Sequence, residues 1–571
     1  MKSQTLLERN LLSVSVGNPE LSGRIQRAEP SGEFRLLTSR SGDPVPAIIR
    51  EGYTHALHSQ IDPHREAGRL VSGHESGGYF VCFGLGAGNH VQQLLEYDAV
   101  SHVLVIETDI ALVRAAMESI DYRLLFLDSR VRLLIDPTPE ELRRHLLSTY
   151  LPAVTGGLNT ITLRSRTALC PTVFEQMVGV IRDAIGEIAD DYTVQSYFGK
   201  RWFTNIVANL PLAEVDTVTL GPIRSAWVVA AGPSLEQQLE LLRDRNTVSS
   251  AVISTDTALR ALLECGIVPD IVVSIDCQHV SYHHFLGGYP EPVPLVLDLA
   301  SPPVVARRAQ RRVFFSSSHP FARYVNDKMR PFPILDTSGG NVTHAAVFLA
   351  DVLGAREIHL LGADYSYPDG KTYARGTYLY PHFGARSSRV SPLESQFVTF
   401  LLRSNPVRRT RRGSAYLYTT KLLSAYKDRL EKLIGRLSAV VNPAPGLGLP
   451  IVPTPRADRR RKDEISIFAA GASKRSWREF LTAYRESIRD LPVPQSSYGI
   501  YTGSLTSDQQ ALVNTMLPVV AAVRHELTLA GSAGKGTPRR TEIHVSLSQL
   551  FSAAREWIDA VLAQALNSGS T

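Results

Sequence analysis

The sequence predicts an α/β protein: a Rossmann-like central domain, a smaller Rossmann-like α/β domain before it, and an α-helical region after it. Three observations support this. From Trp227 to Gln278, the apolar runs Val228 to Ala231, Ala251 to Ser254 and Ile271 to Ile275 alternate with helical stretches, the first from Leu235 to Leu242. That alternation is the pattern of parallel strands joined by crossover helices. The three runs lead into Gly232-Pro233-Ser234, Asp256 and Asp276, which places these residues at the carboxyl edge where such sheets hold ligands. Glycine-rich turns also precede two other helical stretches, at Gly84, Gly86 and Gly88 and again at Ser338 to Asn341. Free backbone N–H groups at such turns suit phosphate.

The chain has 571 residues, too many for one domain, and 44% of them are hydrophobic, enough for real cores. A net charge of +6 suits a small anionic ligand and does not point to nucleic acid. Cys82, Cys170, Cys265 and Cys277 lie far apart with no CxxC, so reduced thiols and a cytoplasmic location are expected. The N-terminal stretch has charges within its apolar residues and no A-x-A site, which argues against a signal peptide. No uncharged apolar run reaches the ~20 residues of a membrane span.

Taken in order, residues 1–137 read as a β-rich, Rossmann-like domain. Turn pairs mark its first part. A strand at Tyr79 to Phe83, the glycines, a helix from His90 to Glu96 and a strand from Val103 to Ile106 ending in Glu107 follow. This is the nucleotide-cradle pattern, with Glu107 placed for ribose hydroxyls. A lone glycine cradle is weak evidence, and an empty structural unit is the favoured reading. Val131 to Ile135 adds a strand. Residues 138–215 read as a helical connector, with Trp202, Asn205 and Asn209 at helical spacing as packing and capping residues.

Residues 216–384 form the expected catalytic domain. Pro233 lacks an N–H and Ser234 can cap the helix that follows, leaving a phosphate seat in its first turn. Asp276 with His279, His283 and His284 offers metal-ligating residue types. No second ligand set accompanies them, so a polar rim loop is favoured and no metal is assigned. Strands at Leu295 to Leu297 and Val313 to Phe315 extend the sheet. Ser338, Gly339, Gly340 and Asn341 open the next helix as a second ligand turn. A strand from Ile358 to Leu361 leads to Asp364 and Tyr365, then to a polar, aromatic loop with Tyr373, Arg375, Tyr378 and His382. Arg375 suits a phosphate or carboxylate. Residues 385–571 read as helical, with solvated basic runs at Arg403 to Arg412 and Arg456 to Lys462 and a Pro-rich linker from Asn442 to Pro455.

The AAGPSL turn, the STDTAL…GIVPDIVVSID run, the GGNVTHAA turn and the LGADYSYPDGKTYARG loop resemble the motility accessory factor (Maf) family of flagellin glycosyltransferases. Their central domain is similar to the archaeal 6-hydroxymethylpterin diphosphokinase (MptE-like) and to bacterial sialyltransferases. The resemblance implies a sialyltransferase-like fold. It also implies transfer of a nonulosonic sugar, such as pseudaminic acid, from a cytidine-monophosphate (CMP) carrier to Ser or Thr of flagellin. Gly232, Pro233 and Ser234 would then hold the nucleotide phosphate, Asp256 and Asp276 the ribose or base, and Ser338 to Asn341 the cytidine side. Asp364, Tyr365 and Tyr373 would line the reaction centre. His382 is the leading general base, with His319 and His283 as alternatives. Such donors carry their own carboxylate, so no metal cofactor is implied. Two other classes compete. One is a diphosphokinase using ATP and magnesium held by Asp256 and Asp276, without a P-loop since no GxxxxGK[ST] occurs. The other is a non-catalytic flagellin-binding protein.

Overall fold

The computed structural model describes residues 4–74, 77–216, 218–245, 249–403, 407–413, 415–452, 467–533 and 545–568. The chain forms two compact units, Met1–Gly199 with Ile488–Ile558, and Lys200–Ser487 with Asp559–Thr571. These divisions differ from the expected boundaries at 137/138, 215/216 and 384/385. The second basic run, Arg456 to Lys462, lies outside the described residues. Among the described residues no helix is long and apolar enough to cross a membrane.

The first unit opens with two helices, Leu6–Gly17 and Pro19–Arg27. Thr5 and Glu8 form a capping box on the first, and Asn18 accepts from the Leu21 amide on the second, satisfying otherwise orphaned N–H groups. Strands β1 (Phe34–Thr38), β2 (Pro44–Arg50) and β3 (Tyr53–Ala56) form an antiparallel sheet. Strands β4 (Gly78–Phe83), β5 (Val100–Glu107), β6 (Val131–Ile135) and β7 (Leu158–Thr162) form a parallel sheet in the order β6-β5-β4-β7. Every residue of β4 is buried, so its sequence shows no alternation. β7 falls inside the stretch expected to be a helical connector. From the C-terminal part of the chain, Gly499 packs so closely that an added Cβ would lie 2.3 Å from the Ser101 carbonyl oxygen. Arg524 donates to the Ala153 carbonyl at 2.9 Å.

The second unit is built on seven parallel strands: β8 (Ser225–Val229), β9 (Ser250–Thr255), β10 (Ile271–Ser274), β11 (Leu295–Asp298), β12 (Arg312–Phe315), β13 (Glu357–Leu361) and β17 (Val440–Pro443), in the order β12-β11-β10-β9-β8-β13-β17. The chain winds outward from β8 to β12, then returns to the other side of β8, making the β8/β13 crevice a topological switch point. Ala226, Val228 and Ile253 face the helices Val342–Val352 and Lys421–Ile434, while Val229, Val252 and Leu361 face Leu235–Arg243 and Asp256–Glu264. Each helix that leads into or out of a parallel strand runs back across the sheet. The turns at Gly232 and Ser338 therefore share the carboxyl edge, on opposite faces.

Two departures from the expected C-terminal region matter. The Pro-rich stretch does not open as a linker, because Asn442 and Pro443 end β17, paired with β13. The basic run contains β15 (Arg408–Arg412), which pairs with β16 (Ala415–Thr419), itself paired with β14 (Tyr367–Pro368). Later helices at Trp477–Asp490, Ser507–Ala533 and Leu547–Ser568 were expected.

The far end of the carboxyl edge is covered by residues 200–214, the part of the 44-residue helix Pro171–Glu214 that belongs to this unit. Asn205 donates to the carbonyls of Cys277 and Ala300 at 3.0 and 2.8 Å, and Asn209 to those of Leu299 and Ser301 at 2.9 and 2.7 Å. They are the packing and capping residues expected, and they hold the loops that follow β10 and β11. Next to them Asp298 is buried, accepts from the Ala300 amide at 2.8 Å, and has its pKa pushed up to about 6 by burial. Between the unfolded value near 4 and 6 the folded state holds the extra proton, so stability falls as pH rises through this window. Asp298→Asn mimics the protonated form. It is expected to raise folding stability at pH 7.5 by on the order of 2–3 kcal/mol and give little gain at pH 4, measured by urea denaturation at both pH values.

Candidate functional site

The switch point itself is sealed. Gly232 and Gly362 approach so closely that the Gly232 amide donates to the Gly362 carbonyl at 2.8 Å, and a Cβ on Gly232 would lie 2.3 Å from Asp364 Oδ2. The Ser234 amide donates to Asp364 Oδ2 at 2.8 Å, and its hydroxyl donates to Oδ1. The Gly448 amide also donates to Oδ1 at 3.0 Å, and the Leu447 amide donates to Ser234 Oγ at 2.7 Å. Ser234 and Asp364 are 1% and 5% exposed. The remaining cavity, lined by Ser234, Gln238, Asp364 and Gly448, measures about 30 Å³, room for one water. The protein's own carboxylate thus fills the seat expected for phosphate, and Ser234 does not cap its helix. Burial raises the Asp364 pKa, while the Ser234 and Gly448 donors oppose that shift. The Asp364 carboxyl is a structural group here, held by the Ser234 and Gly448 donors, and does not line an open reaction centre. Tyr365 is likewise corrected: at φ +46° and 9% exposed, it packs in the sheet core with Leu360 and Ala346.

One strand over, the expected residues do meet. Asp256 Oδ2 accepts from Ser274 Oγ at 2.7 Å, which ties the ends of β9 and β10 together. Asp276 stands beside it. Burial first, then the Asp256 carboxylate, raise the Asp276 pKa, opposed by the Gln278 amide at 2.9 Å and by His284. The short 3₁₀ segment His279–Phe285 brings His283 and His284 against Tyr378. His283 stacks on that ring at 5.5 Å between centroids and His284 meets it edge-on at 4.9 Å. His382 lies 6.3 Å from the same ring. Its pKa is lowered by burial, then by Arg386 and His283. The Tyr378 and Tyr373 phenols are raised by burial and sense Asp256, and Tyr378 senses Asp276 too. Both are lowered in part by Arg403, which sits 4.0 Å over the Phe400 ring. In sequence Arg403 merges with a basic run; only the fold separates it. His319, by contrast, lies 5.3 Å from Trp202 and accepts from the Phe321 amide at 3.3 Å as a helix cap.

The Ser338 turn flanks this cluster. Asn341 Oδ1 accepts from the His344 amide at 3.0 Å, so Asn341 is a helix cap. A Cβ on Gly339 would lie 2.2 Å from the His344 ring. Ser338 and Gly340 are exposed. A Cβ on Gly340 would lie 3.0 Å from Tyr426, whose phenol is raised by burial and, after the opposing Arg429, by Asp276. Arg375 is exposed and its amide donates to Glu236 at 2.6 Å, away from the carboxylate pair. Among the described residues no group of three or more His, Cys, Asp or Glu side chains could hold a metal ion.

In the first unit the glycine cradle is also filled from within. Glu107 accepts from the Leu85 amide at 2.7 Å and pairs with Arg166 at 2.9 Å, both side chains 2% exposed. His58 Nε2 accepts from the Ala87 amide at 2.9 Å. Glu107 therefore has no face for a ribose.

Residues 8–159 match the family model of the glycosyltransferase Maf N-terminal domain, and residues 200–370 match that of the 6-hydroxymethylpterin diphosphokinase MptE-like family. The chain belongs to the Maf glycosyltransferase family. Two proteins of Treponema pallidum, neither with a stated function, are 33% and 30% identical over 154 and 166 residues, which is 26% and 28% of this chain. The chain spans 54% and 79% of their lengths. A 6-hydroxymethyl-7,8-dihydropterin pyrophosphokinase of Pyrococcus furiosus is 30% identical over 161 residues, 26% of this chain and 59% of that protein. The solved structure of the MAf glycosyltransferase from Magnetospirillum magneticum AMB-1 superposes with a TM-score of 0.56 at 17% identity, covering 98% of this chain and 95% of that one. That likeness is one of fold.

Asp364→Ala would leave the Ser234 and Gly448 donors unpaired and open a cavity at the switch point. It is expected to lower folding stability by about 2–4 kcal/mol in urea denaturation. Gly232→Ala is expected to cost about 1–3 kcal/mol, because its Cβ would overlap the same carboxylate.

Proposed function

We propose that the chain transfers a nonulosonic sugar, of the pseudaminic acid kind, from a CMP carrier to a Ser or Thr hydroxyl of flagellin. The observation that supports this best is the meeting of Asp256, Asp276, Tyr373, Tyr378 and His382 at the carboxyl ends of β9 and β10. The family to which the chain belongs supplies the class of reaction.

In this reading the ribose and base lie over Asp276 and the exposed Ser338–Gly340 turn. The phosphate lies at the Tyr373 and Tyr378 phenols, with Arg403 supplying positive charge behind them. The phenols are protonated near neutral pH, because burial raises both pKa values. Each can donate a hydrogen bond to the departing phosphate. The acceptor oxygen attacks the anomeric carbon, the bond from that carbon to the phosphate oxygen breaks, and its electron pair leaves with CMP. The hydroxyl proton passes to His382. A base for a protein-borne hydroxyl must be reachable, and His382 is only half-buried on the rim. His284, deeper and beside both carboxylates, acts as a positioning residue for Tyr378. The leaving group is a stable phosphate monoester, so the residues described complete the step without a metal.

A second reading, diphosphate transfer from ATP to a hydroxymethylpterin, is favoured by the match over residues 200–370. It would draw magnesium to Asp276. Asp256 is engaged by the Thr257 amide and hydroxyl and by Ser274, which leaves it little capacity for a metal. Calorimetry distinguishes the two: CMP binding without magnesium is expected, and binding only of ATP with magnesium would reject the transferase reading.

His382→Ala is expected to lower kcat for transfer by about 10²–10⁴-fold while CMP affinity stays within about threefold. The base must be neutral to act, so the wild-type rate should fall as pH drops through a value below 6.5, and the variant should lose that acidic limb. An unchanged pH profile in the variant would assign the base elsewhere.

A further inference from the structure

The hairpin of β15 and β16 is unlike a merely solvated basic run. β15 carries Arg408, Arg409, Arg411 and Arg412 on a strand that, among the described residues, is paired on one side only, to β16. Among the described residues none of these four forms an ion pair. The register places Arg409 opposite Tyr418 and Arg411 opposite Tyr416. Successive side chains alternate between faces, so Arg409, Arg411, Tyr416 and Tyr418 share one face, while Leu417, 3% exposed, lies on the other and faces inward. Arg409 lies 4.8 Å over the Tyr416 ring, which holds its guanidinium in place. The result is a ladder of arginines and tyrosines beside a free strand edge.

The hairpin is fastened to the loop that leads into the candidate site and to the Asp364 lock beside it. The Tyr416 amide donates to Asp369 Oδ1 at 2.8 Å, and the Asp369 amide donates to the Tyr416 carbonyl at 2.7 Å. Arg412 donates to the carbonyl of Gly448, whose amide holds Asp364. β14, in the same sheet, opens the loop that carries Tyr373 and Tyr378.

We infer that β15 is the docking strand for an extended, acidic segment of the acceptor polypeptide, which adds to the sheet edge and brings a neighbouring hydroxyl to His382. A free strand edge offers alternating N–H and C=O groups that another polypeptide backbone can satisfy in a ladder. The unneutralised arginines select for acidic side chains on that backbone. Nucleic acid could use the charge and the rings but not the ladder. The inference rests on the reading that the acceptor is a protein.

The test is fluorescence anisotropy of the full-length protein with a labelled peptide in which Glu alternates with Val and Thr. Binding is expected. The same peptide with Lys for Glu, or with alternate amides N-methylated along either edge, should not bind. The R409Q/R411Q variant should bind it about tenfold or more weakly, yet bind CMP as the wild type does. Three results would overturn the inference: N-methylation on neither edge mattering, R409Q/R411Q binding the peptide undiminished or losing CMP as well, or a single-stranded oligonucleotide binding more tightly than the peptide. If wild-type protein binds the peptide as expected but not CMP, the docking strand stands and the transferase reading falls.

Discussion

One buried carboxylate organises the second unit. Asp364 leaves the end of β13 and takes hydrogen bonds from Ser234 after β8 and from Gly448 after β17. Three parallel strands are thereby locked at their carboxyl ends. The carboxylate sits at the start of the helix Leu235–Arg243, where exposed amides and the helix dipole favour negative charge. A buried anion without donors would be costly by several kcal/mol. With these donors it fixes the turn in one conformation, and two glycines make room for it.

This lock has a functional consequence. Open Rossmann-like sheets hold ligands at the switch point, yet here that crevice is closed by the protein itself. The proposed chemistry lies one and two strands along, at Asp256 and Asp276. There a carboxylate pair, two tyrosines and three histidines converge from loops distant in sequence. The first unit repeats the theme: Glu107 and His58 occupy the glycine cradle, and its amides are used for folding. In both units the glycines serve close approach of the chain to itself.

Much of this was legible in the sequence, for identifiable reasons. The strands around the switch point are fully buried, so they appear as short apolar runs between amphipathic helices. Asp256 and Asp276 end such runs, which placed both on the carboxyl edge. The role of Asp364 was not legible, because a glycine-proline-serine turn looks the same whether a ligand or a side chain fills it. Tyr365 seemed to belong with its neighbours; its left-handed backbone turns it into the core. β17 escaped notice because Val440 to Pro443 is short and ends in proline, which a sheet edge tolerates. β15 escaped because four arginines on five residues obscure any alternation. Arg403 was hidden for the same reason, and only the packing of Phe400 singles it out.

The central claim is that an activated sugar's nucleotide binds beyond Asp256 and Asp276 while the Ser234–Asp364 lock stays shut. A crystal structure of the protein with CMP tests it most directly. The account predicts nucleotide density against Asp276, Tyr378 and the Ser338–Gly340 turn, with Ser234 still bonded to Asp364. CMP phosphate seated on the Ser234 amide, with Asp364 displaced, would contradict it.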